Sequence, residues 1–258
     1  MDPAVMLTVE DNVALVMLNR PETLNALSDL VKEELMRAMD FVRTDDSVKS
    51  VVLAGTGRSF CAGGDISGMG KRTAVESHQR LGEINDIVTA MAETEKPVIA
   101  AVQGPVAGAG VSLALAADVI FASDEARFIF SFSKLGLMAD AGGMYFLPRA
   151  VGVHKAKTLL FSGGILTAQD GLNYGFVHEV CPRESLHAQA LAYAKELAHG
   201  PTRAYAAIKG IVNRSLEYDL RTVLQLERSQ QTVLQQTRDH KEGVDAFRDK
   251  RPPKFQGE

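Results

Sequence analysis

Short runs dense in β-branched residues alternate with longer stretches in which apolar positions recur every three or four residues. Residues 5–10 and 13–19 flank Asp11-Asn12, the pattern of two strands joined by a tight turn. Ser28 stands as an N-cap before a segment in which Val31, Leu35, Met39 and Val42 share one helical face. Residues 50–54 read as a short buried strand, and Pro97 precedes another at 98–102. Between them, residues 68–72 read as a mobile loop. A helix is predicted over 71–93, with Leu81, Ile84, Ile87, Val88 and Met91 in register. Residues 119–122 and 127–130 are further short strands. After Gly143 the period becomes helical, with helices predicted over 141–149, 153–161, 167–173, 184–199, 202–214, 218–236 and 239–249. Thr167 with Asp170 has the form of a capping box. Gly200-Pro201 marks a boundary. Residues 1–200 read as a core of strand–strand–helix units, and residues 201–258 as a helical region rich in Gln, Arg and Glu.

Composition narrows this picture. The chain has 258 residues, 46% of them hydrophobic, enough to bury a substantial core. A net charge of −4 gives no broad basic field, so nucleic acid is not an expected partner. No apolar run approaches membrane-spanning length, because the richest stretch is broken by Gln103, Gly104, Pro105 and Asp118. Met1-Asp2-Pro3 lacks the features of a secretory signal. Two cysteines are too few for a disulfide framework, which fits a reducing, cytoplasmic setting. No His/Cys spacing suggests a metal.

Two Gly/Ala-rich turns carry the chemistry. Ser59-Phe60-Cys61-Ala62-Gly63-Gly64-Asp65 follows the strand at 50–54, and Gly104-Pro105-Val106-Ala107-Gly108-Ala109-Gly110 follows the strand at 98–102. Each exposes backbone N–H groups that no bulky side chain covers. Two convergent N–H groups are what a thioester carbonyl needs when it becomes an oxyanion. Val111-Ser112-Leu113-Ala114-Leu115-Ala116 continues the second turn as a helix, whose N-terminus adds a positive dipole end.

This pair of turns resembles the crotonase family, the enoyl-CoA hydratases and isomerases, and the resemblance covers nearly the whole chain. It implies an α/β fold, the crotonase (ClpP-like) spiral of ββα turns, with a C-terminal helical region used for trimerisation. It places the two oxyanion donors on Gly64 and Ala109, where Ala109 replaces the commoner glycine and keeps its N–H. Leu18-Asn19-Arg20-Pro21-Glu22-Thr23-Leu24-Asn25-Ala26-Leu27 is similar to the family's nucleotide-holding segment. By resemblance Leu24, Ala26, Ala62, Asp65 and Ile66 hold an acyl-CoA, and Phe247 and Lys250 approach the CoA of a neighbouring subunit in a trimer or dimer of trimers. Coenzyme A is then part of the substrate, and no separate cofactor is implied.

The acid–base residues depart from the hydratases. Those enzymes use two glutamates, and at the matching positions this chain has Ser112 and Phe132. Neither can act as a base near neutral pH. Met138-Ala139-Asp140-Ala141-Gly142-Gly143 resembles the acidic turn of the isomerase branch, with Ala139 for the usual proline, and there Asp140 would move a proton between carbons. The alternative role for Asp140 is to cap the helix that follows. Ser112 would contact substrate or water, or fill space at a tight helix. Glu76 and His78 are secondary candidates for a base, Asp118 reads as structural, and Cys61 as a small buried residue. The expected activity is a double-bond shift or ring rearrangement in an enoyl-CoA. Hydration and non-catalytic acyl-CoA binding are the alternatives.

Overall fold

The computed structural model describes residues 2–67 and 70–258; Met1 of the N-terminal reading, and Gly68 and Met69 of the expected loop, lie outside the described residues. Strands β1 (Val5–Glu10) and β2 (Val13–Leu18) form an antiparallel hairpin. Its turn residues Asp11 and Asn12 have φ of 50° and 63°, the left-handed pair that matches strand twist. Helix α1 (Asp29–Thr44) starts where Ser28 Oγ accepts from Val31 N–H, and Val31, Leu35, Met39 and Val42 are buried. The chain then runs through β3 (Ser50–Gly55), α2 (Ala74–Glu93), β4 (Val98–Val102), β5 (Pro105–Ala107), α3 (Ala109–Leu115), β6 (Val119–Ser123) and β7 (Arg127–Ile129). Helices α4 (Gly143–Val151) and α5 (Val153–Ser162) follow, then β8 (Ile165–Thr167), α6 (Ala168–Tyr174), β9 (Glu179–Cys181) and α7 (Arg183–Ala198). The last three helices are α8 (Thr202–Val212), α9 (Leu220–Leu234) and α10 (Arg238–Asp249).

The strands form two sheets. The larger has the order β1-β2-β3-β4-β6-β9, parallel throughout except for β1. The smaller has the order β5-β7-β8. A parallel bridge between Cys61 and Val106 extends the smaller sheet toward the first Gly-rich turn. Successive turns of chain therefore place one strand in each sheet and then a helix, which is the ββα spiral. The central strands β3 and β4 of the large sheet are covered on both faces, so they are continuously buried rather than alternating. One face carries Val51, Leu53, Val98 and Ala100 against the main core. The other carries Val52, Ala54, Ile99 and Phe121 against Leu186, Ala190 and Ala194 of α7.

Most differences from the sequence reading are short elements. β5, β8 and β9 have three residues each, too few for a periodic signal. Helix α2 starts three residues later than expected because Thr73 and Glu76 form a reciprocal capping box. The helix expected from 141 starts at Gly143, because Ala141 and Gly142 take left-handed φ of 49° and 79°.

Beyond residue 200 little is buried. Helix α9 buries no side chain, and Lys209 is the buried residue of α8. Lys209 Nζ donates to Met91 O at 2.9 Å and Lys96 O at 3.1 Å and pairs with Asp118 at 2.7 Å, which fastens α8 to the core. Burial pushes Asp118 up and Lys209 down from their ordinary values, and their mutual attraction opposes both shifts. A groove of about 1400 Å³ is lined by residues of α2, α4, α8 and α9. Among the described residues, no helix is long and apolar enough to cross a membrane.

Candidate functional site

The two Gly-rich turns meet. Ala107 N–H donates to Cys61 O at 3.0 Å, and a β-carbon on Gly63 would lie 2.6 Å from Ala107 O and 3.3 Å from Ala109 N. Gly63 has φ of 94°, so glycine is required there on both conformational and steric grounds. Gly108, with φ of 51°, turns the chain into α3, and Ala109 is the first helical residue. Ala109 is thus outside the left-handed region, and its methyl group leaves the N–H free. Among the described residues, no acceptor engages the N–H of Gly64 or of Ala109. Gly64 is exposed, with nothing near the position a β-carbon would take.

The segment 24–27 runs beside the first turn. Ala62 N–H donates to Leu24 O at 2.9 Å and Leu27 N–H to Gly63 O at 2.8 Å. Leu24, Ala26 and Ala62 are partly exposed along this edge, and Ile66 is 68% exposed, an apolar side chain at the rim. The Asp65 carboxylate accepts from Ser67 N–H at 2.9 Å and Ser67 Oγ–H at 3.0 Å, bonds that hold it below the ordinary carboxylate range. That carboxylate therefore shapes its own turn.

On the opposite wall, the Phe132 ring lies 3.7 Å from the point a β-carbon would occupy on Gly108. Ser112 is buried in α3 with its Oγ against Gly143. Asp140 precedes Gly143 in the turn that enters α4. Its carboxyl does not cap that helix: the N-cap position is Gly142, and no side chain bonds the first turn. Asp140 Oδ1 is buried without a partner among the described residues, and burial pushes the carboxyl above its ordinary range. The capping alternative is overturned by this geometry. Ala141, beside it, is a non-glycine residue in the left-handed region, strain of the kind that gathers at functional sites.

Other candidates are placed elsewhere. The Glu76 carboxylate accepts from Thr73 N–H at 2.7 Å and Oγ1–H at 2.9 Å, which lowers its pKa and commits it to capping. His78 is exposed on the same helix. Cys61 is fully buried and its thiol is pushed up to about 12. Phe247 is 86% exposed and lines a hollow of about 420 Å³ with Leu234, Val244 and Phe255. Lys250, at φ 54°, ends α10 and is exposed. Neither residue is brought to the two turns by this chain's own packing. The buried side chains of Asn25, Ser59 and Gln103, which bind the base of the first turn, were not singled out from sequence. The positions of Asn25 and Gln103 beside Gly/Ala-rich segments were the available signal.

The Enoyl-CoA hydratase/isomerase family model matches residues 8–258. The chain is 37% identical over 257 residues to the trans-2-decenoyl-[acyl-carrier-protein] isomerase of Streptococcus mutans, covering 98% of each protein. It is 37% identical over 253 residues to the 1,2-epoxyphenylacetyl-CoA isomerase of Escherichia coli, covering 96% of this chain and 97% of that one. The solved structure of an enoyl-CoA hydratase from Polaromonas sp. JS666 superposes with a TM-score of 0.94 at 31% identity, over 98% of this chain and 99% of that one.

Proposed function

Because the chain belongs to the enoyl-CoA hydratase/isomerase family and carries the crotonase fold, we propose that it is an isomerase of enoyl thioesters with Asp140 as its acid–base group. The carbonyl oxygen sits between the N–H groups of Gly64 and Ala109. Hydrogen bonds from both grow stronger as negative charge develops, so they stabilise the enolate more than the ground state. The Asp140 carboxylate takes a proton from C2 of a 3-enoyl thioester. The electron pair of that C–H bond enters the enolate, the double bond moves to C2–C3, and the carboxyl returns its proton to C4. No atoms are gained or lost.

The observation that carries this reading is the buried, unpartnered Asp140 oxygen. A carboxyl with one buried oxygen free of partners and a pKa raised by burial is disposed to both accept and return a proton. Hydration asks for two groups that together activate and split water. Ser112 and Phe132 stand where the resembling hydratases have those groups, and the Phe132 ring presents hydrocarbon toward Gly108. Leu24, Ala26, Ala62, Asp65 and Ile66 hold the CoA through the edge of the first turn. Phe247 and Lys250, exposed on α10, reach the CoA of a neighbouring subunit in a trimer or dimer of trimers. A reducing cytoplasm suits two buried free cysteines.

The test is incubation with 3-enoyl-CoA and 2-enoyl-CoA, each alone, with products separated and the solvent enriched in deuterium. Interconversion of the two with deuterium entering C2 or C4 is expected. A 3-hydroxyacyl product formed faster than the isomer would overturn the isomerase reading. Binding without turnover of either would leave an acyl-CoA binder.

A further inference from the structure

The first Gly-rich turn hangs between two rails, residues 24–27 on one side and residues 103–107 on the other. Backbone bonds join it to both: Ala62 N–H to Leu24 O at 2.9 Å, Leu27 N–H to Gly63 O at 2.8 Å, Phe60 N–H to Gln103 O at 2.8 Å and Ala107 N–H to Cys61 O at 3.0 Å. The second rail leads directly into Ala109. Wherever these rails sit, the two N–H donors follow.

Both rails also send a buried side chain to one residue at the base of the turn. Asn25 Nδ2 donates to Ser59 O at 2.8 Å and Thr56 O at 3.0 Å. Gln103 Nε2 donates to Gly55 O at 2.6 Å and reaches Ser59 O at 3.5 Å. Ser59 Oγ–H donates to Pro105 O at 2.6 Å, which returns the connection to the second rail. Asn25 and Ser59 are fully buried and Gln103 is 3% exposed, so water cannot substitute for these bonds. Asn25 also has φ of 57° and accepts from Arg20 N–H at 2.7 Å, so its backbone and both ends of its carboxamide are fixed.

We propose that Asn25, Ser59 and Gln103 are positioning residues that set the spacing of the Gly64 and Ala109 N–H donors by tying both rails to Ser59. None of the three touches the thioester. Their effect is on the direction of two backbone dipoles, where a displacement of about 1 Å costs up to about a hundredfold in rate. The inference rests on the oxyanion reading given above.

The experiment uses the full chain and cinnamoyl-CoA, a conjugated thioester with no C4–H to shift, so it binds without isomerising. Its absorption moves to longer wavelength when the carbonyl is polarised by hydrogen bonds. Wild type is compared with Gln103→Met and Ser59→Ala, and with Asn25→Asp, which keeps the acceptor for Arg20 N–H and loses the donor. Each is measured for thermal unfolding, free CoA affinity, the red shift at saturation, and kcat for a 3-enoyl-CoA. Expected are folded variants with CoA affinity within about threefold, a smaller red shift, and kcat lower by about tenfold to a hundredfold. No red shift in wild type would remove the oxyanion reading itself. A wild-type red shift unchanged in folded variants would overturn the positioning role alone. Unfolding of all three at the assay temperature would make the trio a folding element and overturn it too.

Discussion

Ser112 Oγ lies 2.5 Å from the point a β-carbon would occupy on Gly143, so the Ser112 side chain of the helix after the second Gly-rich turn packs directly on the backbone of the helix after Asp140. Gly143→Ala forces the Ser112 hydroxyl to rotate away or α3 to shift. Ala139 Cβ at 3.1 Å leaves no room on the other side. The expected cost is about 1–3 kcal/mol of stability. Part of it should return in a Ser112→Ala background, because the hydroxyl is the tighter contact. A double-mutant cycle by denaturant unfolding measures that coupling, and strict additivity would contradict the contact.

Asp140→Asn separates chemistry from stability. Isomerisation should fall by about 10²- to 10⁴-fold, the scale for loss of a general base. Stability should move the other way at neutral pH. The native pKa is raised, so the unfolded chain ionises first as pH rises and the wild-type carboxylate disfavours folding above the ordinary carboxylate range. The variant's advantage should therefore grow with pH through that range and vanish in acid, where both states are protonated. Unfolding curves at pH 3 and pH 8 read the difference.

At Gly64 two substitutions give opposite expectations. A β-carbon meets nothing within 4 Å there, so Gly64→Ala should fold and turn over near the wild-type rate. Gly64→Pro lacks the N–H and should lose about a hundredfold in kcat. Equal turnover by the two folded variants would take this N–H out of the reaction.

Lys209→Met takes the ionic partner from Asp118, which keeps only the Val98 N–H donor at 2.7 Å, and strips a donor from Met91 O and Lys96 O. The expected loss is about 1–3 kcal/mol, the scale for leaving buried carbonyls without their donor. Adding Asp118→Asn should recover part of it. A single-variant loss below 1 kcal/mol, measured by urea unfolding, would show that α8 is not fastened by this pair.

The C-terminal helices leave Ile208, Val212, Leu216, Leu220 and Leu224 more than half exposed in the single chain. Such a face calls for a partner surface. Sedimentation of the full chain at micromolar concentration should give a trimer or a multiple of it, and a well-folded monomer would contradict the assembly.

Long elements were legible in the sequence, and of the four three-residue strands only β7 was. The α1 stripe of Val31, Leu35, Met39 and Val42 repeats often enough to fix its face, and the α6 capping box is written in Thr167 and Asp170. Strands β5, β8 and β9 pair through backbone groups over three residues each, so side-chain period says nothing about them. At the site, the two turns were visible because glycine is a backbone requirement. The state of Asp140 was not. Whether a carboxylate before Gly-Gly caps a helix or stands alone depends on Ala141 and Gly142 taking left-handed φ, which moves the helix start past its reach. The ties of Asn25, Ser59 and Gln103 within this base span from 31 to 48 residues of sequence, a separation that local pattern does not convey.

Cys61 gives the burial of the first turn a chemical meaning. A 2-enoyl thioester, the product of the proposed reaction, is an electrophile at C3, and any thiolate within reach would add to it. The cysteine stands three residues before Gly64, yet its sulfur is sealed from solvent and its proton is held to about pH 12. A thiol in that state is neither nucleophilic nor accessible. The catalyst should therefore survive prolonged turnover, and alkylating reagents added to the folded protein should leave its activity intact.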